Sequence, residues 1–341
     1  MTRFPAAEVL RYGIPFTVAF RDTTVREGLL LRGPAGWGEF APFPDYGPEP
    51  AARWLAAAVE MMTGAVPQPD SPDLLVPVSQ IVPDLPAAQA VAWMQRQLPA
   101  TGCHTVKVKV GDLPVDQEVA RVAAIRTALD EILPGGSARI RLDVNGGWSP
   151  ARAAAVLSQV RDFGIEYVEQ PCDTAAELAI LRNHDVGVPI AVDELLRRDR
   201  DFQTAQQLAD VAIVKVAPLG GGAEVLRLVE QLQLPVVISS AAESSLALAR
   251  DACVAAALPR PVLPAGLATG TLHEADVTNP SVVPVDGVIP AQLRQPDGDA
   301  LARVTDSPSQ AWLDRLEAAW SVAQELQLIP ADQLDALEVA T

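Results

Sequence analysis

The chain has 341 residues, enough for one large domain and a smaller one. Apolar residues make up 49% of it and aromatic residues 5%, a composition typical of α/β proteins, and a net charge of −17 without a basic run argues against nucleic-acid binding. The N-terminus lacks the apolar core of a signal peptide, no apolar run approaches a membrane span, and three cysteines without Cys-x-x-Cys spacing suit a reducing compartment. We therefore expect a cytoplasmic protein with neither a nucleic-acid nor a membrane partner.

The N-terminal part has the pattern of a small α+β unit. Short antiparallel strands are predicted at Pro15–Arg21, Val25–Leu31 and Gly36–Phe40. Apolar residues at helical spacing then predict a helix at Glu49–Thr63. The proline-rich stretch 64–73 is a candidate boundary, so the first domain is expected to span residues 1–73.

From residue 74 to about 270, short apolar runs alternate with Ala- and Leu-rich helical stretches. The predicted strands are Val76–Gln80, Val106–Val110, Ile140–Val144, Tyr167–Glu169, Ile190–Val192, Val211–Val214, Val236–Ser239 and Leu263–Leu267. The predicted helices are Ala87–Leu98, Val115–Leu129, Pro150–Phe163, Thr174–Asn183, Arg200–Leu208, Ala223–Leu232 and Ser244–Ala257. This alternation indicates parallel βαβ units, and eight strands predict a (β/α)8 barrel or a near relative.

A doubly wound open sheet is the alternative fold, but no G-x-G-x-x-G motif follows an early strand to support a dinucleotide site. The run Gly220–Gly222 follows a predicted strand and opens a helix, where it is compatible with an anion cradle. A tight turn between strand and helix explains the same three glycines more simply.

The last segment, 271–341, is less regular. His273–Pro290 is rich in proline and has the pattern of a loop, whereas Pro308–Leu326 has helical spacing. We expect this segment to pack back on the N-terminal unit or on the outside of the barrel.

The stretch Thr105–Val110 alternates strictly between valine and lysine after its first residue. In a strand this places Lys107 and Lys109 on one face, about 7 Å apart at roughly 3.3 Å per residue. Alone, the pattern suits a strand with a solvated, charged edge. Inside a barrel the same two charges require carboxylates or a ligand to balance them.

Polar residues stand at the C-terminal ends of successive strands, where barrel enzymes carry their sites. In chain order they are Lys109, Asp143, Glu169, Asp193, Lys215, Ser239 and Ser240. Three carboxylates from neighbouring strands supply the hard oxygen ligands that suit Mg²⁺, with Mn²⁺ as the alternative ion, and zinc is disfavoured because the series contains no Cys or His. A single Asp at a strand end is more simply a helix N-cap, but three acids in succession favour a metal site.

Lys109 and Lys215 come from strands on opposite sides of the three carboxylates. A lysine acts as a base near neutral pH only if its pKa is lowered, and burial, the neighbouring Lys107 and a divalent cation all act in that direction. Two lysines facing each other across a metal suit abstraction of a proton α to a carboxylate. The alternative is that the lysines neutralise the carboxylates without a metal. Glu194, beside the third acid, is expected to point away from the site and to pair with a lysine.

These residues resemble those of the enolase superfamily and its muconate-lactonizing-enzyme subgroup. The motifs that carry the resemblance are Lys107-Val-Lys109, Asp143-Val-Asn145, Glu169-Gln170-Pro171, Asp193-Glu194 and Lys215. The mandelate-racemase branch is disfavoured, because no histidine lies at a late strand end. The resemblance implies an α/β fold, a modified TIM barrel of type (β/α)7β with an N-terminal α+β capping domain. The capping domain would span 1–73, the catalytic barrel 74–270, and 271–341 would pack back on both.

Within that subgroup, three stretches are similar to the o-succinylbenzoate synthase family. They are Gly36–Asp45, Arg141–Asn145 followed by Trp148, and Val237–Ser245, with local departures at Gly146-Gly147 and Ala241-Ala242. The resemblance implies a carbon–oxygen lyase of menaquinone biosynthesis, acting on a dicarboxylate. The implied reaction is syn dehydration of 2-succinyl-6-hydroxy-2,4-cyclohexadiene-1-carboxylate.

The resemblance also implies roles for individual residues. Lys109 would be the base and Lys215 a cation on the opposite face, while Asp143, Glu169 and Asp193 would hold Mg²⁺. The implied supporting residues are Lys107, Arg141, Asn145 and Glu194. The succinyl arm would lie near Ser239, Ser240 and Gly266.

Two other functions stay open at this point. An N-succinylamino acid racemase or related epimerase needs two competent lysines, which the chain has, although Ala265–Gly270 lacks the acidic pair that dipeptide epimerases use to hold an ammonium group. Muconate cycloisomerisation is disfavoured by the resemblance at Arg141 and at the cap segment Gly36–Asp45. The other alternative is a barrel that binds a ligand without turning it over. The sequence does not indicate an oligomeric state.

Overall fold

The fold is that of a computed structural model in which residues 4–20, 23–71, 73–259 and 263–339 are described. The strands are β1 (Glu8–Phe20), β2 (Thr23–Arg32), β3 (Trp37–Phe40), β4 (Leu75–Pro77), β5 (Gln80–Val82), β6 (Thr105–Lys109), β7 (Arg139–Asp143), β8 (Ile165–Glu169), β9 (Ile190–Val192), β10 (Val211–Val214), β11 (Val236–Ile238), β12 (Val288–Pro290) and β13 (Thr305–Asp306). The helices are α1 (Pro48–Met62), α2 (Ala87–Thr101), α3 (Val115–Ile132), α4 (Pro150–Val160), α5 (Ala175–Arg182), α6 (Glu194–Arg197), α7 (Phe202–Leu208), α8 (Val216–Leu219), α9 (Gly222–Gln231), α10 (Ser245–Ala256), α11 (Gly298–Val304), α12 (Gln310–Glu325) and α13 (Ala331–Val339). Across these ranges, the helices are too short or too polar to cross a membrane.

Strands β5 to β11 form one parallel sheet in the order in which they occur along the chain. A helix lies between each pair of successive strands, as parallel βαβ units require. The two edges of the sheet are joined by a short segment, in which Ala265 O accepts from Ser79 N (2.9 Å), directly before β5, and Gly266 N donates to Ile238 O (2.8 Å) of β11. The predicted modified TIM barrel is confirmed.

The first predicted barrel strand, Val76–Gln80, is wrong in its placement. In the structure β4 ends at Pro77 and pairs with β12, outside the barrel, whereas the barrel strand β5 begins at Gln80. Because proline has no N–H group to donate to a ladder, the chain leaves one sheet there before it enters the next.

The predicted strand Leu263–Leu267 is also wrong. Its described residues form only single bridges, at Ala265 and Gly266. A Cβ atom at Gly266 would lie 2.7 Å from Ser239 Oγ, so the close approach that completes the barrel depends on glycine. The closing segment is too short to show the period of a strand in the sequence.

The N-terminal unit is an antiparallel sheet in the order β13-β1-β2-β3, with α1 packed on β3. Strand β1 begins at Glu8, earlier than the predicted strand Pro15–Arg21, and Arg21 lies outside the described residues. The first half of β1 carries charges on its solvent side, where Arg11 pairs with Asp306 of β13 at 2.5 Å. Those exposed charges hide the strand period in the sequence.

The C-terminal segment returns to the N-terminal unit. Strand β13 joins β1, and α12 packs against α1. The edge of the Phe4 ring meets the Trp320 ring with centroids 5.2 Å apart, within a core shared by both ends of the chain. The division of the chain at residues 73 and 270 stays a prediction.

Two buried glutamates of the N-terminal unit bind the starts of barrel helices. Glu60 of α1 accepts hydrogen bonds from Gly222 N (2.7 Å) and Ala223 N (2.8 Å), at the beginning of α9. Glu39 of β3 accepts from Ser244 N (3.1 Å), at the beginning of α10. The glycine run that the sequence left open as a turn or an anion cradle therefore receives a carboxylate of the same chain, at the positive end of a helix.

We predict that Glu60→Ala lowers the free energy of unfolding by about 2 kcal/mol, because the N–H groups of Gly222, which is buried, and of Ala223 lose their acceptor. Urea denaturation followed by tryptophan fluorescence measures this change. The control is Glu230→Ala, which removes an exposed carboxylate from α9 itself and should leave the midpoint unchanged. Equal midpoints for the wild type and both variants would show that Glu60 does not dock the N-terminal unit.

Candidate active site

The side chains predicted at the strand ends lie together in the mouth of the barrel. Lys109 is in register with Asp143, and Asp143 with Glu169, so these three side chains emerge side by side. Asp193 and Lys215 directly follow β9 and β10. None of the five is more than 8% exposed. The lysine face of β6 is therefore part of a buried charge network and not a solvated strand edge.

Two lysines share the carboxylates on one side of this network. Lys107 Nζ lies 2.7 Å from Glu169 Oε1 and 2.9 Å from Asp143 Oδ2. Lys109 Nζ donates to Asp143 Oδ2 and to Asn145 Oδ1, both at 2.5 Å. Burial acts to lower the pKa of Lys107, but the charges of Asp143 and Glu169 outweigh it and raise this pKa. Lys107 therefore remains positively charged beside Lys109.

The other side of the network is formed by Asp193, Lys215 and Arg197. Lys215 Nζ donates to Asp193 Oδ2 at 2.5 Å, and Arg197 Nε donates to Asp193 Oδ1 at 3.0 Å. Burial acts to raise the pKa of Asp193, but the two cations outweigh it and the pKa is lowered. This carboxylate is therefore ionised at neutral pH.

The three carboxylates offer the donor type that Mg²⁺ prefers. Burial raises the pKa of Glu169, and the charges of Asp143 and Asp193 raise it further, a repulsion that a divalent cation would relieve. Glu169 Oε2 lies 2.7 Å from Lys107 Nζ, an ion-pair contact, and among the described residues this buried oxygen accepts no hydrogen bond. The donor set therefore fits a hard divalent cation.

Within residues 4–20, 23–71, 73–259 and 263–339, no three Asp, Glu, His or Cys side chains surround a common point as metal ligands. Instead, the ammonium groups of Lys107, Lys109 and Lys215 contact the three carboxylates. Metal coordination by Asp143, Glu169 and Asp193 stays a prediction.

Asn145 and Glu194 connect the two sides of the network. Asn145 Nδ2 donates to Glu194 Oε1 at 3.2 Å, and Arg197 Nη2 donates to the same oxygen at 2.6 Å. Glu194 begins α6, and its hydrogen-bond partners in the described chain are Asn145 and Arg197, where the sequence analysis expected a lysine. The turn from β9 into α6, too short to recognise in the sequence, explains the difference.

Arg141 lies deeper in the barrel than the strand ends. It is fully buried, and its Nε donates to Glu166 Oε2 at 2.6 Å while its Nη1 donates to Pro264 O at 2.7 Å. Its guanidinium stacks over Tyr167, 4.9 Å from the ring centroid. Arg141 thus connects the closing segment at Pro264 to strand β8, on the interior side of the strand ends that carry the site.

The three residues assigned to the succinyl arm line the same mouth, but Ser240 is already fully engaged. Its Oγ donates to Glu243 Oε2 (2.7 Å) and accepts from Ala242 N (2.7 Å) and Thr269 Oγ1 (2.9 Å). One donor and two acceptor sites are the full capacity of a hydroxyl group. Ser239 and Gly266 contact each other across the barrel closure.

Two cavities adjoin at the mouth. The inner one, about 30 Å³, is lined by Lys107, Lys109, Asp143 and Lys215 together with the residues of the barrel closure. The outer one, about 550 Å³, lies between the N-terminal sheet, α6 and α12. Phe43, which follows β3, lines both cavities and stands between them.

Sequence reasoning missed several residues that position the site. Gln170 has a positive φ of 40°, and its Oε1 accepts from the backbone N–H groups of Asp193 (3.1 Å) and Leu195 (3.4 Å). Arg197 donates to the Tyr46 hydroxyl in the segment after β3, besides holding Asp193. Neither contact leaves a periodic signal in the sequence.

The rarity of lysine in the sequence is a further signal of this site. The chain contains only three lysines, Lys107, Lys109 and Lys215, against 23 arginines. All three lie in this buried network. Since lysine is the cation whose pKa shifts readily on burial, its restriction to one site indicates a chemical role there.

Comparison of the sequence with known proteins identifies the family to which the chain belongs. Residues 89–297 match the family described as Enolase C-terminal domain-like, and residues 12–62 match Enolase N-terminal domain-like. An o-succinylbenzoate synthase from Thermobifida fusca is 43% identical over 323 residues, which cover 94% of this chain and 98% of that protein. An o-succinylbenzoate synthase from Mycobacterium tuberculosis is 41% identical over 316 residues, 91% of this chain and 92% of that protein.

The crystal structure of muconate lactonizing enzyme from Pseudomonas fluorescens, complexed with muconolactone, has a TM-score of 0.74 to this chain at 18% identity. The matched region covers 89% of this chain and 100% of the muconate lactonizing enzyme chain. This similarity supports the barrel fold with its N-terminal unit. The two o-succinylbenzoate synthases also support the family, because each is more than 40% identical and matches over more than nine-tenths of both chains. The chain belongs to the enolase superfamily and, within it, to the o-succinylbenzoate synthase family.

Proposed function

We propose that this chain catalyses the Mg²⁺-dependent syn dehydration of 2-succinyl-6-hydroxy-2,4-cyclohexadiene-1-carboxylate to o-succinylbenzoate, as a lyase of menaquinone biosynthesis. The similarity to o-succinylbenzoate synthases over more than nine-tenths of the chain supports the reaction. The observation that carries the proposal is the buried set of two lysines on opposite sides of three carboxylates. A proton α to a carboxylate is removed most easily where a base and positive charge are both held close to it.

Asp143, Glu169 and Asp193 are the residues that would hold Mg²⁺. When bound, the ion supplies positive charge that stabilises the negative charge developing on the substrate's ring carboxylate. Gln170 holds the backbone at Asp193 through two hydrogen bonds, and so fixes the orientation of one of these carboxylates.

Lys109 takes the proton from the carbon next to the ring carboxylate. Asp143 and Asn145 hold its amine in place, and Lys107, which keeps its positive charge, favours the neutral form of Lys109. The protonated amine then gives the same proton to the departing hydroxyl group on the same face. One water molecule leaves, and the ring becomes aromatic.

Lys215 remains cationic on the opposite face, where Asp193 accepts its hydrogen bond. A cation over a developing aromatic ring contributes about 0.5–2 kcal/mol. Lys215 thus stabilises the ring without exchanging a proton with it.

The proposal is tested by mixing the protein with the cyclohexadiene substrate and Mg²⁺ and following the ultraviolet spectrum. We expect aromatic product from the wild type, and Lys109→Ala to lower kcat by about 10²- to 10⁴-fold, the usual contribution of a general base. Arg303→Ala, a change on the exposed side of α11, serves as the control and should leave kcat unchanged. Absence of product with the wild type, or full activity in Lys109→Ala, would overturn the proposal.

The metal assignment has its own test. Glu169→Gln should weaken Mg²⁺ binding, measured by titration calorimetry, by more than about tenfold, since even an outer-sphere partner is worth 10- to 100-fold. Activity of the wild type should disappear with EDTA and return with Mg²⁺. Glu131→Gln, on an exposed face of α3, should bind Mg²⁺ as the wild type does. Unchanged affinity in Glu169→Gln would exclude Glu169 as a ligand.

N-succinylamino acid racemisation is the second candidate function. Lysines on both sides of the site favour it, since racemisation needs a base on each face. The two functions are separated by incubating N-succinyl amino acids in D₂O with the protein. Exchange of the α-proton in the wild type, lost in Lys215→Ala, would add this activity to the lyase reaction.

A further inference from the structure

The inner cavity beside the lysines, about 30 Å³, adjoins the larger outer cavity at Phe43. Ligand pockets commonly measure about 300–1,000 Å³. The adjoining outer cavity, about 550 Å³, has the size required. A succinyl arm directed outward from a ring at Lys109 would pass Phe43, which lines both cavities, and enter the outer one.

Two arginines line this outer cavity with only carbonyl oxygens as hydrogen-bond acceptors. Arg26, on β2, is 6% exposed, and its three nitrogens donate to the carbonyl oxygens of Ala242 (3.3 Å), Glu27 (3.3 Å) and Ala41, which leaves one N–H on each Nη. Arg315, on α12, donates through Nη2 to Tyr46 O at 3.1 Å and also to Phe43 O. Throughout the described ranges, neither guanidinium forms an ion pair with a carboxylate.

The other charges that line the outer cavity do not neutralise these two. Glu27 pairs with Arg11, and Arg197 is engaged with the acids of the barrel mouth. Asp45 is exposed and acts on Arg315 only at a distance. Burial lowers the pKa of Arg315 and the charge of Arg26 lowers it further, so the two cations repel each other. The outer cavity therefore carries unbalanced positive charge, although the chain as a whole has a net charge of −17. An anionic ligand bound there would stabilise the two arginines.

We propose that Arg26 and Arg315 bind the carboxylate at the far end of the succinyl arm, here called the distal carboxylate. This inference rests on the proposed function and names a second anion site for the same substrate. The hydroxyl of Ser240 is already fully engaged and has no donor left for the distal carboxylate. A guanidinium with donors to spare binds a carboxylate through charge-assisted hydrogen bonds. Arg315 thereby makes helix α12 part of the substrate site.

The test compares two ligands by titration calorimetry in the presence of Mg²⁺. One is o-succinylbenzoate, and the other is the same molecule with its distal carboxylate converted to an amide. We expect the wild type to bind the dicarboxylate about tenfold or more tightly than the amide, the usual advantage of a hydrogen bond to a charged group. Arg315→Gln, which leaves Arg26 in place, should lose most of this preference while its affinity for the amide changes less than about twofold. In turnover, Arg315→Gln should raise KM and leave kcat largely unchanged.

Three comparisons make the result decisive. Arg315→Lys keeps the charge and should retain part of the preference, and Arg303→Gln, on the neighbouring helix α11, should retain all of it. If Arg315→Gln weakens both ligands by the same factor, Arg315 only holds the segment at Phe43 and the inference is wrong. If the wild type turns over substrate but binds both ligands equally, the inference fails while the proposed function stands. If it neither turns over substrate nor binds either ligand, both fail.

Discussion

The structure depends on burying three carboxylates and three ammonium groups in one barrel mouth. Isolated charges of this kind are very unfavourable away from water, so each must have partners held at fixed positions. Asp143 contacts both Lys107 and Lys109, and Asp193 contacts Lys215. The parallel register of the strands places these side chains side by side, and the barrel therefore supplies the fixed partners that the buried charges require.

The layers around the network serve to keep it in place. Gln170 binds the backbone next to Asp193, and Arg197 links that same carboxylate to Tyr46 in the segment after β3. That segment is positioned in turn by the N-terminal unit, whose Glu39 and Glu60 bind the first residues of α10 and α9. Docking of the N-terminal unit and the positions of the buried charged groups are thus physically connected.

The parts predictable from sequence are those with a strict period or a regular spacing. Lys109, Asp143 and Glu169 were recognisable because each ends an apolar strand, and parallel strands bring their ends together. The closing segment at Gly266, the four-residue helix at Glu194 and the partners of Arg315 were not, because each depends on a single contact between parts distant in the chain. Such contacts carry no local pattern, and only the folded backbone reveals them.

The central claim is that Lys109 and Lys215 flank one bound ring, and the scarcity of lysine makes it directly measurable. Carbon-13-labelled lysine introduces three side-chain signals into the whole protein, one for each of the lysines of the site. Titration with o-succinylbenzoate in the presence of Mg²⁺ should shift the signals of both Lys109 and Lys215, assigned by the loss of each in its arginine variant. A product complex in which either signal stays unmoved would contradict the account.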